Sequence, residues 1–301
     1  MEADIRGESI WKGILDVKHE SAIAVLHFNK IRLTRRCLDS LAEAGVSPKR
    51  IFCLDNGSMP DVAGALARDY PDIRHHRLEE NRGFSGGFNA ALVRVFNAGF
   101  HHCVFLTNDT VYHSGADICL ARALAARDAG MAAPCIRYLS NPDAIDSLGA
   151  FFDAENAALG HYHDIDLPER LNAETDYIPG TALAVTRDAF EQLGGTDESF
   201  HTYWEDVDLC FRAHAAGIPL IRVPGARIDH GVGQTCHKKP YYTTYLFQRN
   251  RLLFCRRHLT GDALAQAEGV IRKNWLAMRD MRVELGDRQR LQYIDKLLML
   301  L

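Results

Sequence analysis

The absences in this 301-residue sequence narrow its class before any motif is read. No apolar run approaches the ~18 residues that a bilayer-spanning helix needs. The opening MEADIRGESIWKG is acidic and has no apolar core, so it does not read as a secretory signal. None of the eight cysteines (Cys37, Cys53, Cys103, Cys119, Cys135, Cys210, Cys236 and Cys255) forms a CxxC pair. Several sit inside apolar runs, Cys53 in RIFCLD and Cys103 in HHCVFL. They read as small buried hydrophobes in a reducing compartment, not as disulfides or zinc ligands. Internal repeats and low-complexity stretches are missing too. With 47% hydrophobic and 25% charged residues, the chain can bury a sizeable core, which excludes disorder for most of its length. At roughly 150 residues per domain the length suggests two units, although α/β domains often run longer as one.

A net charge of −4 hides an asymmetry. Residues 238–301 hold 13 Lys and Arg against 6 Asp and Glu, whereas the preceding 237 residues hold 22 against 33. A basic tail on an acidic body suits a membrane surface, an anionic substrate or the body itself.

Apolar runs mark strands at Ala22–Phe28, Arg50–Asp55, Ile73–Leu78 and His102–Thr107. Helical spacing follows each, over NKIRLTRRCLDSLAEAG, Asp61–Tyr70, Gly83–Gly99 and Ser114–Gly130. This alternation predicts an α/β fold with a mostly parallel central sheet covered by helices on both faces. Residues 131–186 read as short mixed strands and turns. Helices are expected at Arg187–Leu193 and Glu205–Gly217, a strand at Ile218–Val223, and helices at 241–258, 261–284 and 287–300. The expected organisation is a lead-in (1–20), a catalytic domain (21–237, with a nucleotide-binding half to residue 110 and an acceptor half after it) and a helical C-terminal extension (238–301).

In open α/β sheets, ligands bind beyond the carboxyl ends of the strands. Four groups follow strands or open helices. Asp55, before the turn Asn56-Gly57-Ser58, can accept a hydrogen bond from a base or a ribose, though Asp-Asn-Gly is also ordinary turn chemistry. The stretch ENRGFSGGFN (80–89) offers close backbone approach and a helix N-terminus that suits an anion, but it is neither GxGxxG nor a P-loop, and packing explains the glycines equally well. Asn108-Asp109-Thr110 is an oxygen-rich strand end that suits Mg²⁺ or Mn²⁺ and needs further ligands, with His230 a candidate. Trp204-Glu205-Asp206-Val207-Asp208 sets three carboxylates at a helix start, where the dipole keeps Asp206 ionised. Asp208 can pair with Arg212 at i+4, leaving Glu205 or Asp206 to face a cleft.

Six stretches in order, AVLHFNK, CLDNGS, ENRGFSGGFNAA, FLTNDT, PGTALAVTRDAFEQLGGTDESFHTYWEDVDLCFRAHAAG and VPGARIDHGVGQT, resemble the family-2 inverting glycosyltransferases of the GT-A fold, especially their rhamnosyltransferase-like branch. The resemblance spans about residues 23–234 and implies roles by position. Phe28 and Asn29 meet the nucleotide, Asp55 holds its base, and Arg82, Asn89 and Asn108 lie near the nucleotide and its phosphates. Asp109 and His230 hold a divalent cation, Mg²⁺ or Mn²⁺. Asp206 is the catalytic base, with Trp204 and Glu205 on the acceptor side. The metal motif reads Thr107-Asn108-Asp109 and lacks its first acid, and His27-Phe28 stands where Thr-Tyr is more usual. The implied donor is dTDP-rhamnose or a UDP-sugar. The implied acceptor is a glycan or lipid-linked glycan, in the cytoplasm or at the inner membrane face, with the basic C-terminal helices candidates for peripheral contact. Nucleic acid is not an expected partner. Two other readings are a nucleotidyltransferase, disfavoured because no glycine loop follows the first strand, and a non-catalytic sugar-nucleotide-binding partner of another transferase.

Overall fold

The computed structural model describes residues 21–58, 63–166, 176–231 and 240–301. The expected lead-in, Asp61 at the head of the second helix, and Cys236 lie outside the described residues. In chain order the elements are β1 (Ser21–His27), α1 (Ile31–Glu43), β2 (Ile51–Asp55), α2 (Ala63–Asp69), β3 (Arg74–Arg77), α3 (Gly83–Asn97), β4 (His102–Thr107), β5 (Thr110–Tyr112), α4 (Ala116–Arg127), β6 (Met131–Tyr138), β7 (Asn141–Ser147), β8 (Ala150–Asp153), β9 (Ala158–His161), β10 (Asp176–Tyr177), β11 (Ala182–Thr186), α5 (Arg187–Leu193), α6 (Glu205–Ala215), β12 (Leu220–His230), α7 (Pro240–His258), α8 (Gly261–Glu284) and α9 (Arg288–Leu298).

The first strand shows why the run AIAVLH must be a central one. All seven residues of β1 are buried, and the pleat divides them between two cores. Ala22, Ala24 and Leu26 join Phe52, Phe88 and Phe105 on one face. Ile23 and Val25 join Cys37, Leu38 and Leu41 of α1 on the other. Among the described cysteines all but the half-buried Cys119 are buried, and none is in a disulfide.

The main sheet runs β3-β2-β1-β4-β11-β6-β12-β5, with β7 beside β6. It is parallel across β3-β2-β1-β4, the stretch expected to bind nucleotide. Beyond β4 it is mixed, because β11 enters antiparallel to both β4 and β6. The expected two halves therefore contribute strands to one continuous sheet. Strand β12 runs on past the expected Val223, through a register shift before Arg227, and its last residue pairs with Thr110 of β5. That extension brings His230 to the strand end that carries Asp109.

The C-terminal helices match their expected bounds to within two residues. They are anchored by core side chains: Phe254 and Cys255 of α7 and Ala267, Ile271 and Trp275 of α8 are all buried. Trp275 also donates its indole N–H to Gln248 Oε1 at 2.8 Å. Among the described residues, no helix is long and apolar enough to cross a membrane.

Candidate active site

The carboxyl ends of β1, β2 and β4 lie side by side, His27 in register with Asp55 and Leu26 with Thr107. Asp55 is 2% exposed. Its Oδ1 accepts from the Ser58 backbone N–H at 3.0 Å and its Oδ2 from Arg77 Nη1 at 3.0 Å. The Asn-Gly-Ser turn thus serves both readings at once: it folds over the carboxylate and fixes it. The Ser58 hydroxyl also receives the N–H of Asn29, a residue held at φ 58°. Arg77 was not foreseen. Its only sequence signal is a basic residue ending a weak strand, and the parallel register of β3 with Asp55 is what delivers it.

Asp109 is equally buried. The Thr107 hydroxyl donates to its Oδ1 at 2.7 Å, and His230 Nε2 stands 3.6 Å from its Oδ2. The second imidazole nitrogen, Nδ1, lies 3.0 Å from Asp146 Oδ2. Burial opposes a charged imidazole here, but Asp109 and Asp146 outweigh it and lift the His230 pKa to about 9. Among the described residues no three His, Cys, Asp or Glu converge on one point. The donor chemistry nevertheless fits a divalent cation shared with a diphosphate that takes the place of the Nε2 proton: one carboxylate oxygen and one imidazole nitrogen face each other, and a second carboxylate orients the ring from behind. Asp146 has no signal in the sequence beyond its place in the mixed strands and turns of residues 131–186.

Helix α6 opens with the three carboxylates, and the structure gives each a different task. Asp208 is wholly buried and takes Arg212 Nε at 2.8 Å, the expected i+4 pair. Glu205 is 4% exposed, and among the described residues its Oε2 meets no hydrogen-bond donor. Burial, reinforced by the neighbouring Asp206 charge, pushes its pKa well up. Asp206 is the one that stays partly exposed. Its Oδ2 accepts from the Gly180 N–H at 2.8 Å and its Oδ1 from Val207 N–H at 2.9 Å. Burial raises its pKa against those two bonds, where the dipole alone had suggested an acid held fully ionised.

A short chain of bonds ties the two acidic sites together. Asp206 receives Gly180 N–H. The next residue, Thr181, gives its carbonyl to Thr107 N–H at 3.0 Å, and the Thr107 hydroxyl holds Asp109. Asp206 and Asp109 therefore flank the same Gly180-Thr181 dipeptide.

Four expected ligands are placed otherwise. The amide of Asn89 is spent on the loop after α5: its Nδ2 donates to Thr196 O at 2.8 Å, and its Oδ1 accepts from Thr196 N–H at 2.8 Å and from the Thr196 hydroxyl. Asn108 turns away from the strand end into a buried cluster, donating to the Thr34 hydroxyl at 2.9 Å beside His27. Trp204 is 1% exposed and packs against Phe152, Phe247 and Phe254, a core role in place of an acceptor-side one. Arg82 pairs with Glu198 at the surface, 2.6 Å apart. The N-terminus of α3 is likewise not presented to an anion. Gly83, Phe84 and Ser85 N–H donate to Asn81 Oδ1, Thr202 Oγ1 and His201 O. Its glycines answer to close packing: a Cβ on Gly83, held at φ +69°, would lie 2.1 Å from His201 O, and one on Gly87 2.7 Å from Leu26.

Comparison with known proteins agrees with this layout. The sequence pattern described as glycosyl transferase family 2 matches residues 22–194. The chain is 28% identical over 244 residues to the N-acetylglucosaminyl-diphospho-decaprenol L-rhamnosyltransferase of Mycobacterium tuberculosis, covering 72% of this chain and 80% of the relative. It is 23% identical over 282 residues to the galactofuranosyltransferase GlfT2 of the same species, covering 84% of this chain and 44% of that one. Among solved structures, the mannosyltransferase PcManGT from Pyrobaculum calidifontis, in complex with GDP-Man and Mn²⁺, superposes with a TM-score of 0.54 at 17% identity over 92% of this chain and 73% of that one. The fold is that of the GT-A glycosyltransferases.

Proposed function

The chain belongs to glycosyl transferase family 2 and is a sugar-transferring enzyme of glycan assembly, and from that premise we propose how its cleft works. A nucleotide diphosphate sugar binds at the carboxyl ends of β1, β2 and β4. Phe28 and Asn29 border the nucleotide, and Asp55, steadied by Arg77, accepts from its base. Asp109 Oδ2 and His230 Nε2 would hold a divalent cation, as the Mn²⁺ in the solved mannosyltransferase suggests for this fold. When bound, such a cation stabilises negative charge developing on the leaving diphosphate.

Asp206 takes the proton of the acceptor hydroxyl as that oxygen attacks the anomeric carbon from the face opposite the diphosphate. One in-line displacement then inverts the configuration. Two backbone N–H groups fix the orientation of the Asp206 carboxylate, and its burial-raised pKa makes it a stronger base than an exposed Asp. The observation that supports this reading is the shared Gly180-Thr181 dipeptide, bonded to Asp206 on one side and through Thr107 to Asp109 on the other.

The donor is dTDP-rhamnose or a UDP-sugar, and the acceptor is a lipid-linked glycan. The relative named as an N-acetylglucosaminyl-diphospho-decaprenol L-rhamnosyltransferase supports rhamnose as the sugar and a lipid-linked acceptor. A lipid-linked acceptor also gives the exposed end of α8 a task. Leu276 and Val283 share a face there with Arg272 and with Arg279, which pairs with Asp295 at 2.8 Å, and Arg272 suits an anionic lipid surface.

The deciding experiment replaces Asp206 by Asn. Turnover should fall about 10²–10⁴-fold, the scale of a lost general base, while dTDP or UDP affinity is kept. A variant that turns over at the wild-type rate removes Asp206 from the mechanism.

A further inference from the structure

The segment that delivers Asp206 to the cleft is held in an unfavourable backbone form. His201, Tyr203 and Trp204 all lie in the left-handed region, at φ 63°, 75° and 73°, and none is glycine. Side chains disfavour this region, so three such residues within four persist only where surrounding bonds over-determine them. The local sequence His-Thr-Tyr-Trp supplies no glycine or asparagine to ease the turn. The restraint must come from elsewhere.

It comes from α7. Asn250 is wholly buried, and the two N–H groups of its amide are shared among three carbonyls of this one segment: Phe200 O at 2.8 Å, Thr202 O at 2.9 Å and Tyr203 O at 2.8 Å. Its own oxygen is held by Arg249 Nε at 2.8 Å, and Arg249 Nη2 reaches Ser199 O at 2.8 Å and Phe200 O at 3.0 Å. Two adjacent side chains of the C-terminal extension thus gather four of the five carbonyls from Ser199 to Tyr203. The remaining one, His201 O, points the other way and receives Ser85 N–H at 3.1 Å, while the Thr202 hydroxyl receives Phe84 N–H at 3.1 Å. The segment is clamped between α7 and the glycine-rich start of α3. Glu205 and Asp206 follow at once, and Trp204 O receives the Asp208 N–H in the first turn of α6.

We infer that Asn250, seated by Arg249, is a positioning residue for the transfer reaction. By holding residues 200–203, with His201 and Tyr203 at positive φ, it sets the start of α6, and so places the Asp206 carboxylate against Gly180. The inference rests on Asp206 being the base. It assigns the basic C-terminal extension a part in catalysis that needs no contact with substrate.

The test is Asn250→Asp, which keeps the shape of the side chain and removes both amide N–H donors. Amide hydrogen exchange should speed up about 10-fold or more at Phe84, Ser85 and residues 201–207, while β1 and β4 exchange as in the wild type. Release of dTDP from dTDP-rhamnose, or of UDP from UDP-galactose, should slow about 10–100-fold in kcat, with dTDP or UDP affinity changed less than about 3-fold. Should Asn250→Asp fail to fold, Arg249→Met removes the outer part of the clamp and should move the same amides and kcat less far. Unchanged exchange at residues 84–85 and 201–207 overturns the inference. So does a parallel fall of kcat, nucleotide affinity and protection across the whole sheet, which marks a purely structural residue. Asp206→Asn run alongside separates the two ideas. Wild-type turnover in that variant defeats the base assignment alone, and the exchange data still decide whether Asn250 holds the segment.

Discussion

Single residues in this cleft are set by what their polar atoms already hold. His27, at the end of β1, places Nδ1 2.5 Å from the Thr34 hydroxyl in a site without solvent. Burial lowers its pKa to about 4, only partly offset by Asp55. Between pH 6.5 and 4 the unfolded chain takes up a proton that the folded chain refuses. Stability therefore falls as pH drops through that window, by at most about 3 kcal/mol from this residue. Urea melts of the wild type at pH 7 and pH 4.5 should differ more than those of His27→Gln; equal differences would show that His27 titrates normally. At the proposed cation site, Asp109→Ala removes the carboxylate that faces His230. Manganese affinity, read by Mn²⁺ paramagnetic resonance, should drop about 10-fold or more, and nucleotide binding should lose its dependence on the metal. Metal-independent turnover in the wild type after EDTA treatment would contradict that site.

Elements meet here through a few buried charges. Asp208 of α6 accepts from Arg212 of its own helix and from Arg257 and His258 of α7, at 2.8, 3.1 and 2.9 Å. Burial alone would raise its pKa, but His258, Arg212 and Arg257 overcome this and hold it at about 2. The stability it contributes is present above the ordinary carboxylate pKa and is lost as pH falls through about 2. Asp208→Ala removes the acceptor shared by Arg212, Arg257 and His258, while Arg257 keeps Asp197 at 2.7 Å, and should cost about 1.5–3 kcal/mol in denaturant melts at pH 7. A loss under about 1 kcal/mol would mean the junction is held by Phe254 and Trp204 packing instead. The i+4 pair within α6 was legible in the sequence. The partners from α7, some fifty residues on, were not, because periodicity reports the face of a helix and not what lies against it.

At the scale of the whole molecule, an acidic body and a basic extension form one packed unit. The extension buries Trp275 and Phe254 inward and leaves Leu276, Met281, Val283 and Leu285 exposed among arginines. Co-sedimentation with vesicles should retain the protein on phosphatidylglycerol and not on phosphatidylcholine, with release at high salt. Retention on neither would restrict the extension to its internal role.

The strand runs and the C-terminal helices were readable in the linear order, because burial on both faces of a sheet writes continuous apolar runs; Asp55, Asp109 and His230 stood out as polar residues at strand ends and Asp206 as a carboxylate at a helix start. The duties of Asn89, Asn108 and Trp204 were not. Polar side chains are ambiguous until their partners are known, and here Thr196, Thr34 and three aromatic rings claim them from distant parts of the chain. The antiparallel entry of β11, the second carboxylate on His230 and the clamp of Asn250 on residues 200–203 share one origin: each is a pairing between segments far apart in sequence, and such pairings are selected by packing the whole chain, which no local pattern records.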